Sequence, residues 1–121
     1  MTIYEALGEE GLSRLVAAFY RQIPQDDLLG PLYPPEDLAG ADQRLRDFLV
    51  FRFGGPDRYL QRRGHPRLKM RHAGFTIDRA ARDRWIKLMN TALVEAEIPR
   101  PAATPIQQFF AEVATFLINT D

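Results

Sequence analysis

The chain has 121 residues, 16 acidic and 16 basic side chains, two histidines and no cysteine. That length suits one domain with a real core, the zero net charge gives no global pull toward nucleic acid or membrane, and the missing cysteines exclude disulfides, thiolate zinc sites and CxxCH attachment of a cofactor. No apolar run approaches the roughly 20 residues of a membrane span, and Met1-Thr2-Ile3-Tyr4-Glu5 shows no charged-then-apolar leader, so the cytoplasm is the expected location.

The periodicity is helical throughout, with little valine and no clean alternation to suggest a sheet. Thr2-x-x-Glu5 predicts a capping box for a first short helix. Leu12, Leu15, Val16, Phe19, Tyr20 and Ile23 repeat at helical spacing as one buried stripe, which Pro24 ends. Residues 24–37 carry four prolines (Pro24, Pro31, Pro34 and Pro35) and read as an irregular corner. Ala41, Leu45, Phe48 and Leu49 begin a second stripe, closed by Gly54-Gly55-Pro56. Residues 56–66 show no period and read as a long loop, and Pro66 precedes a short helical turn from Leu68 to Ala73. Ile77, Ala81, Trp85, Leu88, Met89, Ala92 and Ala96 make the longest stripe, with Asp78 as its N-cap. Pro99, Pro101 and Pro105 break it, and Ile106, Phe109, Phe110, Val113 and Leu117 mark a terminal helix. The expected product is an all-α single domain over residues 1–121, with four substantial helices in two pairs.

The segment from Arg62 to His72 concentrates the unusual chemistry. It holds both histidines, and six basic residues lie between Arg58 and Arg71 with no acid among them. Lys69 and Lys87 are the chain's only lysines; the other cations are arginines, which suit fixed two-point contacts to carboxylates. A cysteine-free protein of this size has few uses for two histidines. One is to hold an iron porphyrin through a single axial imidazole while cations meet its propionates. About ten structureless residues before a histidine-bearing turn are more than a compact bundle needs, and loops of that length are usually functional. Such a loop leaves room for something wide and flat between the helix pairs.

These residues resemble those of a known family. Phe19-Tyr20, Leu32-Tyr33-Pro34, Asp37-Leu38-Ala39-Gly40-Ala41, Gly54-Gly55-Pro56 with Tyr59, Arg63-Gly64-His65-Pro66-Arg67-Leu68-x-Met70-Arg71-His72 with Phe75, and Arg82-Asp83-x-Trp85 follow the order and spacing of the truncated haemoglobins, second group, over roughly residues 3–95. The resemblance implies a two-over-two helical sandwich around haem b, with His72 as the proximal iron ligand. It places Tyr20, Tyr33 and Trp85 on the distal side, with Ala41 and Leu45 on the facing helix. It implies reversible binding of O2 and other diatomic ligands by a monomer or homodimer. Carriage or storage of O2 fits, as does NO or peroxide chemistry drawing on a separate reductase. Two positions depart from the family pattern. Glu9-Glu10 separate Gly8 from Gly11, where paired glycines are frequent. Gly74 stands two residues after His72, where proline is frequent, and this predicts a less rigid end to the helical turn.

Each of these residues also has a plain packing role to be weighed. His72 as a ligand requires its Nδ1–H to donate to a backbone carbonyl. His65 is biased to extended backbone by Pro66 and is expected at the haem edge or as a loop cap; a zinc site on His65 and His72 lacks a third ligand in sequence. Tyr20 and Trp85 fall on buried stripes, where a hydroxyl or indole N–H needs a partner, and Pro34 restricts the ring of Tyr33. Three donors on one ligand, at very roughly 1–3 kcal/mol each, predict slow O2 release, since about 1.4 kcal/mol is tenfold. Ala41 and Leu45 are apolar and leave the hydrogen bonding to those three. Arg44 and Arg71 are candidate propionate partners, with Tyr59 a hydroxyl donor and Phe75 a further haem contact. The competing reading is a haem-free helical module that holds an anion or nucleic acid on Arg58–Arg71. It lacks the interleaved exposed aromatics that base stacking requires.

Overall fold

The computed structural model describes residues 1–120. Its helices are α1 (Ile3–Gln22), α2 (Leu38–Arg52), α3 (Arg58–Arg63), α4 (Leu68–Arg71), α5 (Arg79–Glu95) and α6 (Arg100–Phe116), and no strand occurs among the described residues. Three short 3-10 turns, at Ile23–Gln25, Gly30–Leu32 and Pro35–Asp37, shape the proline-rich corner. The all-helical expectation holds.

The capping box forms: the Thr2 hydroxyl accepts from the Glu5 N–H and the Glu5 carboxylate accepts from the Thr2 N–H, both at 3.0 Å. The helix it opens is short, as expected: the backbone leaves helical geometry at Gly8. It runs into the Leu12–Phe19 stripe through a kink at Gly8, whose φ of 69° is open to glycine at little cost. This first turn docks on the end of α2, where the Tyr4 N–H donates to the Phe53 carbonyl at 2.9 Å. Gly55 permits the approach, since a Cβ there would stand 2.7 Å from the Tyr4 ring.

Two helix pairs, α1 with α2 and α5 with α6, cross through the contact of α1 with α5. Leu12, Leu15, Phe19, Leu49 and Ile106 are fully buried in the core between them. Each such side chain contributes about 1.5–3 kcal/mol of burial. Gln22 ties the pairs together by donating to the Leu88 carbonyl at 2.8 Å. Asp78 caps α5 as expected, accepting from the Ala81 N–H at 2.8 Å.

Two sequence expectations are corrected. Residues 58–63 are helical, although only Tyr59 of that helix is buried. Ion pairs fasten it: Arg62 meets the buried Asp47 of α2 at 2.6 Å and Arg58 meets Glu9 of α1 at 2.8 Å. The terminal helix begins at Arg100 and takes in both Pro101 and Pro105. Pro101 sits in the first turn, where the N–H has no intrahelical partner; Pro105 forgoes one helical bond. Among the described residues no helix is long and apolar enough to cross a membrane.

Candidate functional site

Between the helix pairs and the α3–α4 segment lies a cavity of about 520 Å³. Its lining is mostly apolar: Leu29, Leu32, Ala41, Leu45, Phe48, Phe109, Phe110 and Val113 are among its walls. Tyr20, Tyr33, Trp85, Tyr59, His72, Phe75, Arg44 and Arg71 line it too, so the fold gathers nearly every residue singled out above. His65 is the exception. It is exposed, lies outside the cavity wall, and offers its carbonyl to Arg71 at 3.2 Å.

The chain delivers His72 by two sharp turns. Gly64 ends α3 with φ 76°, and Arg67 takes the left-handed conformation (φ 40°) as the residue before α4. Arg71 then braces the loop: its Nε donates to the Pro66 carbonyl at 2.7 Å and its Nη2 to the Arg63 carbonyl at 2.6 Å. The same guanidinium stands 6.0 Å over the buried Tyr59 ring. His72 closes α4, and its Nδ1 lies 2.7 Å from the Leu68 carbonyl. A carbonyl can only accept, so Nδ1 carries the proton and, in the neutral ring, Nε2 keeps its lone pair. Phe75 packs beside it with ring centroids 6.3 Å apart.

The polar aromatics come from three elements. Tyr20 of α1 meets Tyr33 of the corner edge to face at 5.7 Å. Trp85 of α5 is wedged between Phe19 and Phe110, each at 5.0 Å. Burial, with the neighbouring Tyr33 and Asp42 adding to it, pushes the Tyr20 phenol far above its ordinary value. Burial likewise raises Tyr33, and the indole N–H of Trp85 facing its hydroxyl works weakly the other way. Both phenols are therefore proton-bearing donors at any physiological pH.

The corner that carries Tyr33 is itself held by charge. Asp26 accepts from the Leu28 and Leu29 N–H groups at 3.1 and 2.7 Å and from Arg84 at 2.7 Å. Arg44 forms a 2.6 Å pair with Asp37 at the cavity wall and holds that carboxyl below its ordinary range. Sequence reasoning gave no role to Arg82, Arg63 or the α6 residues Phe109, Phe110 and Val113, all of which line the cavity. Arg82 was findable: it precedes Trp85 by three residues on one helix and so shares its face.

The basic run does not form a single cationic face. Arg58 and Arg62 are committed to Glu9 and Asp47, and Arg71 to backbone carbonyls. Among the described residues no three histidine, aspartate or glutamate side chains gather as a metal-binding group. The apolar cavity, the imidazole with Nε2 left as acceptor and the arginines at its wall do suit a flat apolar group with acidic edges and a central metal, as haem is.

Comparison with known proteins agrees. Residues 2–119 match the model of the bacterial-like globin family. The group 2 truncated haemoglobin YjbI of Bacillus subtilis (strain 168) is 40% identical over 90 residues, covering 74% of this chain and 67% of the relative. The crystal structure of a haemoglobin from the thermophilic phototroph Chloroflexus aurantiacus superposes with a TM-score of 0.94 at 42% identity, over 99% of both chains. That of the truncated oxygen-avid haemoglobin from Bacillus subtilis gives 0.93 at 32% identity, over 98% of this chain and 100% of the other. This chain belongs to the bacterial-like globin family, as a truncated haemoglobin of the second group.

Proposed function

We propose that this protein binds haem b through His72 and holds O2, or another diatomic ligand, under hydrogen bonds from Tyr20, Tyr33 and Trp85. One observation carries the reading: an imidazole with its tautomer fixed and three polar aromatics line the same apolar cavity. Haem, when bound, supplies an iron that takes up diatomic ligands reversibly. The chain supplies the rest. His72 offers Nε2, and its Nδ1–H bond to Leu68 sets the ring's orientation and basicity. Tyr20, Tyr33 and Trp85 would donate hydrogen bonds to a ligand that gains negative charge, and the apolar walls formed by Ala41 and Leu45 would keep water from competing. Arg44 and Arg71 would meet the acidic edge of the group, Arg44 in exchange with Asp37 and Arg71 through Nη1, which its bonds to the Pro66, Arg63 and His65 carbonyls do not use, with Tyr59 beside them.

Three donors hold a ligand tightly, and the Bacillus subtilis neighbour is described as oxygen-avid. Storage, sensing or redox removal of NO or peroxide therefore fits better than rapid delivery, and redox turnover would draw on a separate reductase. The protein would work in the cytoplasm as a monomer or homodimer. The test is the visible spectrum of protein expressed with ample haem, in the ferric, reduced and oxygenated states. A Soret band that moves on reduction and again with O2 or CO supports the reading. Colourless protein that cannot be reconstituted with hemin defeats it.

A further inference from the structure

We infer that Asn119 is a positioning residue for His72. The inference rests on the proposed ligand role of His72 but is carried by a separate set of bonds. After α6 the chain folds back over the segment that follows His72, and Asn119 grips that segment on both sides. Its Nδ2 donates to the Phe75 carbonyl at 2.9 Å and to the His72 carbonyl at 3.5 Å. Its Oδ1 accepts from the Ile77 N–H at 2.9 Å. Its backbone N–H donates to the Ile77 carbonyl at 2.9 Å, and that of Thr120 follows at 3.2 Å. A planar amide that donates and accepts at once can satisfy carbonyls and an N–H on one side of a turn, and here that turn begins at the histidine itself.

Among the described residues the other bonds of 72–77 are short-range: the Ala73 N–H donates to the Met70 carbonyl at 3.2 Å and the Phe75 N–H to the His72 carbonyl at 3.0 Å. Ala73, Gly74, Phe75 and Thr76 are exposed. Gly74 lacks a positive φ, and a Cβ there would meet nothing within 4 Å. Neither strain nor crowding demands glycine, so at this position it contributes only conformational freedom. The Leu68 carbonyl fixes the His72 ring against its own turn. Asn119 fixes that turn against the rest of the molecule, by way of α6. The looseness expected from Gly74 is thus offset from 42 to 47 residues away in sequence.

The test uses Asn119→Ala and Asn119→Asp, with Gln107→Ala as a control that cuts an α5–α6 hydrogen bond elsewhere. Aspartate keeps the acceptor for Ile77 and loses the donors to Phe75 and His72. Amide exchange of residues 72–77 is measured in the haem-free protein, and the iron–histidine stretching band in the reduced haem protein. Both Asn119 variants are expected to speed exchange over 72–77 roughly tenfold or more while α1 and α5 stay protected, and to broaden or shift the iron–histidine band; the control does neither. Unchanged exchange overturns the proposal. So does faster exchange with an unaltered iron–histidine band, because the grip would then stop short of the imidazole. Faster exchange in a protein whose wild type takes up no haem supports the grip and defeats only the haem reading.

Discussion

The Leu68 carbonyl accepts two bonds from one residue, His72: the backbone N–H at 3.0 Å and the ring Nδ1–H at 2.7 Å. Side chain and main chain of His72 are thereby locked to the same oxygen, and Nε2 is the one nitrogen able to coordinate a metal. His72→Ala is expected to abolish haem retention while far-ultraviolet dichroism shows the helices intact, and imidazole added to solution restores part of the binding. Haem transfer to an excess of a competing apo-globin measures the loss. Tight retention with an unaltered ferrous spectrum would remove His72 from the ligand role.

Trp85→Phe is expected to raise the O2 dissociation rate roughly tenfold, the weight of one hydrogen bond to a charged acceptor. Phenylalanine keeps an aromatic ring between Phe19 and Phe110 and removes the N–H together with part of the indole's packing area. Tyr20→Phe and the double variant complete a cycle. Because Tyr20 touches Tyr33 and Tyr33 faces the indole, the two effects should fall short of additive. Stopped-flow rates that do not move in Trp85→Phe would show that the indole serves packing alone.

Alkaline stability reports on the buried phenols. Tyr20 has a folded-state value raised above its ordinary 10.0. The unfolded chain releases that proton first, so the contribution of the neutral phenol is fully present below about pH 10 and is lost as pH climbs toward the folded value. The loss is about 1.4 kcal/mol per pH unit for each such tyrosine. Urea midpoints measured from pH 8 to pH 11 should fall more steeply for wild type than for Tyr20→Phe. Parallel curves would mean that the Tyr20 hydroxyl is not desolvated.

Acid stability reports on the corner. Burial alone would raise the Asp26 carboxyl, but the bonds from Leu29, Arg84 and Leu28 outweigh it and hold it below its ordinary 3.8. That stabilisation is present above roughly pH 4 and drains away as pH falls through the lower folded value. Asp26→Asn is expected to cost about 2 kcal/mol at neutral pH and to flatten the acid limb of the curve. It should also quicken O2 release, since the corner positions Tyr33. A wild-type midpoint at neutral pH would sink the idea.

The long helices were legible because each repeats an apolar stripe several times, and Thr2 and Asp78 announce their starts by side-chain chemistry. Helix α3 was not. Six residues make too few turns to show a period, and the partners that hold it, Asp47 and Glu9, lie 15 and 49 positions away in sequence. Pro105 misled for another reason: tertiary burial of Ile106 and Phe110 outweighs one missing backbone bond. Within the site, the contiguous stretch ending at His72 and the face of α5 bearing Trp85 could be read directly. The α6 aromatics could not, because a stripe facing a cavity looks the same as one facing a core. Nor could the grip of Asn119, which depends on where the chain arrives after α6.

Of residues 58–77, Tyr59 alone is buried, whereas α1, α2, α5 and α6 share the apolar core. One half of the cavity is thus prefabricated, and the other half reaches the core mainly through Tyr59, which packs on Phe48, and through Leu68 until a flat ligand lies against it. That half opens at a lower free energy than the core, and bound ligand raises the cost by mass action. The stretch is also rich in arginine, so a trypsin-like protease finds its cleavage sites where the fold opens most easily. Copies of the chain lacking cofactor are expected to be nicked between Arg58 and Arg71 well before loaded ones, a difference that a timed digest would display. Cellular lifetime would then track iron-porphyrin supply without any dedicated degradation signal.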